Sequence, residues 1–172
     1  MITIRSEQKA DIERIYQINT LAFAREGEGK LVNEIRKSPY FIPPLSLVAE
    51  NDKGIVIGHI LFSKITIETS DKSVETLALG PVAVVPDFQR QGVGGALIRE
   101  GIRKAKGLNY DSVVVLGHAE YYPKFGFSKA SEKGIKPPFT VPDEAFMILE
   151  LKEEALKNVI GTVKYTEPFL KV

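Results

Sequence analysis

A continuous apolar run, Val82-Ala83-Val84-Val85, is followed closely by the glycine-rich segment Gln89-Arg90-Gln91-Gly92-Val93-Gly94-Gly95. A helical stretch comes next, and then a second apolar run, Val113-Val114-Val115-Leu116. Apolar runs of this length read as strands buried on both faces. Between them, Gly92–Lys106 has helical periodicity: Val93, Ala96, Leu97 and Ala105 face one way, and Arg99, Glu100, Arg103 and Lys104 face water. A buried strand, a helix and a second buried strand make a parallel crossover unit, which commits the chain to a sheet flanked by helices.

The rest of the chain is read around that unit. Ile2–Ile4 alternates as a short edge strand, and Ser6–Phe23 carries Ile12, Ile15, Tyr16, Ile18 and Phe23 at helical spacings. Gly29–Lys37 reads as a second helix, stopped at Ser38-Pro39. Leu45–Glu50 and Ile55–Ile67 form a hairpin about Asn51-Asp52-Lys53-Gly54. A turn at Ser70-Asp71-Lys72 leads into Val74–Val85, completing an antiparallel meander. A short helix near Glu120–Phe125 and a final strand, Ala145–Leu151, end the pattern. The expected fold is therefore α/β (α+β): a mixed, mostly antiparallel central sheet with one parallel strand–helix–strand unit.

Composition narrows the chemistry. At 172 residues, the chain is sized for one domain with a proper core. Its 23 basic and 22 acidic residues leave a formal net charge of +1, which supplies no broad field for nucleic acid or an anionic membrane. There is no Cys, which excludes disulfides, thiolate metal sites and a Cys-acyl intermediate. His59 and His118 are too few for an all-His metal site, so no metal is expected. No apolar run has bilayer-spanning length and Met1–Arg5 lacks a signal peptide's apolar core, so a cytoplasmic location follows by default.

The segment Gln89–Gly95 sits where a buried strand meets a helix start. The first amides of a helix have no internal partners and sit at the positive end of its dipole. Glycines let a phosphate approach them without meeting a Cβ, and Arg90 can add a charge-assisted contact. The bland alternative is a glycine bend that only closes the joint. Two rival nucleotide motifs fit worse. A Walker loop needs Gly-Lys-Ser/Thr, and the dinucleotide fingerprint needs a glycine where Leu97 stands. Just upstream, Leu79-Gly80-Pro81 breaks the strand: Pro81 cannot donate to the ladder and Gly80 permits a bulge. A bulge there splays this strand from its parallel neighbour and frees backbone groups of Val82–Val84 for a ligand; a simple bend at a sheet edge is the alternative.

Tyr121-Tyr122-Pro123-Lys124-Phe125-Gly126-Phe127 follows the second parallel strand, at the end where open α/β sheets bind ligands. A tyrosine there can give its phenolic proton to a departing thiolate, or can simply be a core aromatic, as Phe125 and Phe127 are expected to be.

Together these residues resemble the GNAT superfamily of acetyl-CoA-dependent N-acetyltransferases, and in particular its YhbS-like subgroup of predicted acetyltransferases. The pyrophosphate motif Gln/Arg-x-x-Gly-x-Gly/Ala is matched by Gln89, Gly92 and Gly94, and the motif Tyr-x-x-x-Gly-Phe by Tyr122, Gly126 and Phe127. The likeness runs from Ile2 to Leu151 and makes residues 1–151 the acetyltransferase domain. It implies that Val82, Ala83 and Val84 hold the acetyl and pantetheine part of acetyl-CoA. It implies that Gln89, Arg90, Gln91, Gly92, Val93, Gly94 and Gly95 hold its pyrophosphate, and that Tyr122 is the general acid. Many members place a general-base Glu on the fourth strand, where this chain has Glu75; Gly117-His118 stands where many carry an Asn.

The expected reaction is direct transfer in a ternary complex. An amine attacks the thioester, Val84 or a neighbouring amide stabilises the oxyanion, Tyr122 protonates the thiolate, and Glu75, or His118 through water, takes the amine's proton. A non-catalytic CoA-binding sensor or interaction module is the rival reading. The acceptor is a small-molecule or peptide amine, met by the region Phe23–Lys37, where Arg25, Glu26, Glu28 and Lys30 either read a charged acceptor or form a solvated face. The segment 152–172 is an extension that packs on the domain; capping it and mediating a homodimer are the two roles open to it.

Overall fold

A computed structural model describes residues 1–171; Val172, the last residue of the C-terminal extension, lies outside them. The helices are α1 (Ile12–Phe23), α2 (Gly27–Arg36), α3 (Val93–Gly107) and α4 (Glu167–Leu170). The strands are β1 (Thr3–Ser6), β2 (Phe41–Glu50), β3 (Val56–Glu68), β4 (Ser73–Val84), β5 (Ser112–Leu116), β6 (Ser128–Lys129), β7 (Ile135–Lys136), β8 (Phe146–Glu150) and β9 (Gly161–Lys164). They form one sheet in the order β1-β2-β3-β4-β5-β8-β6, with β9 paired to β3 and β7 to β9. The β1-to-β4 meander is antiparallel, and β4 runs parallel to β5, as the crossover unit requires. The mixed, mostly antiparallel sheet read from the sequence is thus present.

The alternation along β3 explains why helices cover both faces. Ile60 and Phe62 pack with Leu97, Ile98 and Ile102 of α3. The intervening Leu61 packs on the other face with Ile15, Ile18, Val32 and Ile35 of α1 and α2. All of these but Ile102 are fully buried, and Ile102 is only 8% exposed. A third cluster, around Ile65, Val114, Ile148 and Val163, closes the far end of the sheet.

Three boundaries differ from expectation. The N-terminal helix does not begin at Ser6: Ser6 pairs with Leu47 in β1, a 3-10 turn covers Lys9–Asp11, and α1 starts at Ile12. The Arg5 guanidinium donates to Asp11 (2.7 Å) and Glu50 (2.8 Å), holding the strand onto β2 ahead of the helix. The hairpin's first strand starts four residues early, at Phe41, because a register shift between Phe41 and Ser46 accommodates Pro43 and Pro44. Ala145–Leu151 matches β8, but β8 is not the last strand. The extension supplies β9, which pairs with Thr66–Glu68 of β3 beyond the point where β2 has left that edge.

The break in β4 is a bulge. Ile60 pairs with Val82 but Phe62 with Leu79, so Leu61 alone faces Gly80-Pro81, a cis peptide. Pairing between β4 and β5 covers Leu77–Val113 and Ala78–Val114 and stops there. Beyond it the two strands part, and the sheet opens on the side where α3 begins.

Candidate active site

The open end of the sheet carries two adjoining cavities that share Tyr121. The smaller, of about 470 Å³, is lined by Val84, Gln89, Arg90, Gly92–Gly95, Arg99, Lys124 and aromatic side chains. Its floor is the start of α3. Gly92 caps that helix at φ 85°, a left-handed conformation natural to glycine, and no side chain caps the turn. The first intrahelical bond runs from the Ala96 amide to the Gly92 carbonyl (3.0 Å). The amides of Val93, Gly94 and Gly95 therefore precede the ladder, at the positive end of the helix dipole. Arg90, Arg99 and Lys124 line the same cavity and, among the described residues, no carboxylate does. Open amides, three cations and small residues together suit a dianionic phosphate.

Side chains around the turn fix its shape. The Gln89 amide donates to the Val84 carbonyl (2.9 Å), pinning the turn to the end of β4. The Gln91 amide donates to the Asp87 carbonyl (3.3 Å) and lies off the cavity. Sequence reasoning sent Arg99 to water. It is exposed, but its guanidinium lies 5.0 Å from the Phe125 ring centroid and borders the cavity. Lys124 lies 4.5 Å from the Tyr121 centroid and was also missed. Arg99 stands one helical turn past Gly95, a spacing that could have revealed it; nothing local marks Lys124, which arrives with the loop after β5.

The backbone of β4 reaches towards both cavities. The Val85 amide donates to the Ile57 carbonyl (2.9 Å), and β4 and β3 are antiparallel there. Alternation then turns the backbone groups of Val84 and Val82 away from β3, towards the gap left by β5. Val84 borders the smaller cavity and Val82 the larger, while Ala83 is buried among α1 and α2 side chains.

The larger cavity, of about 980 Å³, runs from the bulge to α1, α2 and the C-terminal segment. Tyr122 lines it and is only 7% exposed. Its ring fits because residue 117 is glycine: a Cβ there would lie 2.5 Å from the Tyr122 ring. Burial, reinforced by Tyr121, pushes the Tyr122 phenol up to about 12. Burial also raises Tyr121, opposed by the Arg99 charge. A phenol held at about 12, as at Tyr122, is suited to donating a hydrogen bond while keeping its proton. His118 stands at the cavity's exposed mouth.

Glu75 is not brought to this site. It is an exposed residue near the start of β4, opposite Thr66, and borders neither cavity. Seven residues of extended chain put it ~23 Å from Val82. Arg25 and Glu28 do border the larger cavity but bind each other, the Arg25 Nε donating to Glu28 at 2.9 Å. Glu26 and Lys30 pair with one another away from it. His59 is fully buried: its Nε2 meets Ser46 Oγ (3.0 Å) and Ser46 donates to Glu7, which Arg36 holds at 2.8 Å. Among the described residues no cluster of His, Asp and Glu is arranged to hold a metal ion, and no helix is long and apolar enough to cross a membrane.

Known proteins resemble this chain in sequence and fold. Residues 44–129 match the family model described as an acetyltransferase (GNAT) domain. The chain is 38% identical over 170 residues to the uncharacterized N-acetyltransferase YjhQ of Escherichia coli K12, covering 96% of this chain and 93% of that one. It is 31% identical over 166 residues to YhbS of the same strain, an uncharacterized N-acetyltransferase, covering 96% and 97%. The crystal structure of Escherichia coli YhbS in complex with CoA superposes with a TM-score of 0.90 at 30% identity, over 98% of this chain and 92% of that one. A GNAT family acetyltransferase from Brucella melitensis in complex with acetyl-CoA superposes with a TM-score of 0.79 at 33% identity, over 98% of both chains.

Proposed function

Because the chain belongs to the GNAT family of acetyltransferases, we propose that it transfers an acetyl group from acetyl-CoA to a primary amine within one ternary complex. One observation carries the reading: the uncapped start of α3 opens into a cavity with three cations and no carboxylate, next to a second cavity reached across Tyr121. The first suits the donor's pyrophosphate, and the relatives crystallised with CoA and acetyl-CoA support the identity of the donor.

The chain's residues then divide the work. The amides of Val93, Gly94 and Gly95, with Arg90, Arg99 and Lys124, hold the phosphates. The strand edge at Val82 and Val84 positions the pantetheine arm, and the Val84 amide polarises the thioester carbonyl as negative charge builds on its oxygen. The amine nitrogen bonds to the acetyl carbon, the carbon–sulfur bond breaks, and Tyr122 hydrogen-bonds the departing sulfur. One proton passes from nitrogen to sulfur. His118, through water, is the group placed to accept it first, since Glu75 is remote. Taken with the absence of Cys, this leaves no step that needs an acyl-enzyme. We assign residues 1–151 to the acetyltransferase domain, with 152–171 as an extension packed on it.

Calorimetry with acetyl-CoA tests the donor site, with Gly94→Glu as the blocked variant. A Cβ at Gly94 would stand 3.5 Å from the Tyr121 hydroxyl and 3.9 Å from Val84, so the new carboxylate enters the cavity itself. Gly94 lies in the first turn of α3 with no positive φ, which spares the backbone strain that a change at Gly92 would bring. Wild-type binding that is lost in the variant supports the reading. Equal binding by both proteins refutes the placement.

A further inference from the structure

We infer that the acceptor is a primary monoamine with an aromatic body, held in the larger cavity by Phe23, Phe139, Tyr165, Phe169 and Leu170; this rests on the acetyl-transfer reading above. The walls carry the argument. Phe139 and Tyr165 lie nearly parallel, with centroids 5.9 Å apart and planes at 16°, and Phe169 tilts against Tyr165 at 5.0 Å. Phe139 and Leu170 remain 44% and 76% exposed although they border this cavity. Such faces are suited to a flat apolar body.

The charges point the same way. The cavity is bordered by Arg25, Glu28 and Lys164, so Glu28 is its one carboxylate among the described residues, and Glu28 is held by Arg25 through bonds of 2.9 and 3.1 Å. A polyamine or a lysine-rich peptide brings additional positive charge and would meet Arg25 and Lys164 with no carboxylate to spare. An aromatic monoamine brings one amino group, and apolar walls favour its neutral, nucleophilic form.

The route of the chain argues against a long extended acceptor. From β9 on the sheet the C-terminal segment crosses to α2, where Lys171 pairs with Glu34 at 3.5 Å. Tyr165, Phe169 and Leu170 line the cavity along this crossing, and Pro168 is buried beneath it. One side of the cavity is thereby closed by the protein's own strap.

The test uses the full chain. Acetyl-CoA binding is measured first; then CoA-saturated protein is titrated with 2-phenylethylamine, spermidine and a short lysyl peptide, and each amine is assayed for CoA release with acetyl-CoA. The expected result is 2-phenylethylamine bound, and turned over, about tenfold better than the other two. Phe139→Ala and Leu170→Ser, the second at a mostly exposed position, are expected to weaken 2-phenylethylamine about tenfold while leaving acetyl-CoA affinity within about twofold. Acetyl-CoA binding with spermidine or the lysyl peptide preferred, or with both variants indifferent to 2-phenylethylamine, overturns the acceptor assignment and leaves acetyl transfer standing. No acetyl-CoA binding removes both.

Discussion

Tyr122 shows how the role proposed for a residue follows from its surroundings. The motif marks it as a proton donor, yet burial and Tyr121 hold its phenol at about 12, so it keeps its proton throughout the working range. A hydrogen bond to developing sulfur charge is what such a group offers. Tyr122→Phe is therefore expected to lower kcat on the order of 10²-fold while leaving acetyl-CoA affinity nearly unchanged, as steady-state kinetics and calorimetry would show. Wild-type turnover in the variant would remove Tyr122 from the mechanism. Gly117 belongs to the same picture, because only a missing Cβ lets the ring lie where it does. The tyrosine was legible from its motif; its changed acidity was not, since desolvation depends on which rings pack around it.

Among the elements, α3 does two jobs with opposite demands. In the proposed function its first turn stays open for an anion, while its middle presses on the sheet. Gly101 serves the second: a Cβ there would lie 2.1 Å from the Phe62 ring, and Phe62 is fully buried. Alanine in a helix interior normally gains about 1 kcal/mol over glycine. Here overpacking of about 1–3 kcal/mol opposes that gain and wins, because a fully enclosed ring has nowhere to move. Gly101→Ala is expected to lower the melting temperature by a few degrees. A rise in melting temperature would show that the helix can lift off β3 cheaply. The helix itself was evident from its periodicity, as were the strands on either side. The break in β4 was evident from Gly80-Pro81, because proline removes a donor wherever it stands, but the register with β3 decided that it is a bulge and not a bend at a sheet edge. The extension of β1 to Ser6 and the early start of β2 were not, since pairing with Leu47 and the register shift at Phe41–Ser46 are long-range choices.

For the molecule as a whole, a buried polar chain ties the N-terminal segment to the sheet: Arg36 holds Glu7, Ser46 donates to Glu7, and Ser46 meets His59, whose other nitrogen lies 3.4 Å from Asn19. Burial drives His59 down to about 3, an effect the Glu7 charge opposes and the Arg36 charge reinforces. Hydrogen bonds from Arg36 and Ser46 lower the Glu7 carboxyl against the cost of its burial. The sign follows from linkage. His59 is depressed in the folded state, so its contribution is complete above the unfolded value near 6.5 and is lost as pH falls from there towards 3, by up to about 1.4 kcal/mol per pH unit. Glu7 is depressed as well and adds to the loss below its usual range near 4.5. Melting temperature is expected to decline steadily from pH 6.5 to 4.5, and His59→Gln, though less stable at pH 7.5, is expected to flatten that decline. An equally steep decline in the variant would place the acid sensitivity elsewhere.

Local chemistry decided much of this protein: the strand–helix–strand unit, the glycine turn and the tyrosine motif were all readable, because apolar periodicity, missing Cβ atoms and a fixed motif spacing act over a few residues. Tertiary structure alone decided that Lys124 joins the turn, that Glu75 stands remote while His118 stands at the mouth, and that residues 161–170 return as a strand and an aromatic wall. Those facts depend on which distant segments the sheet brings together, and no local spacing records them.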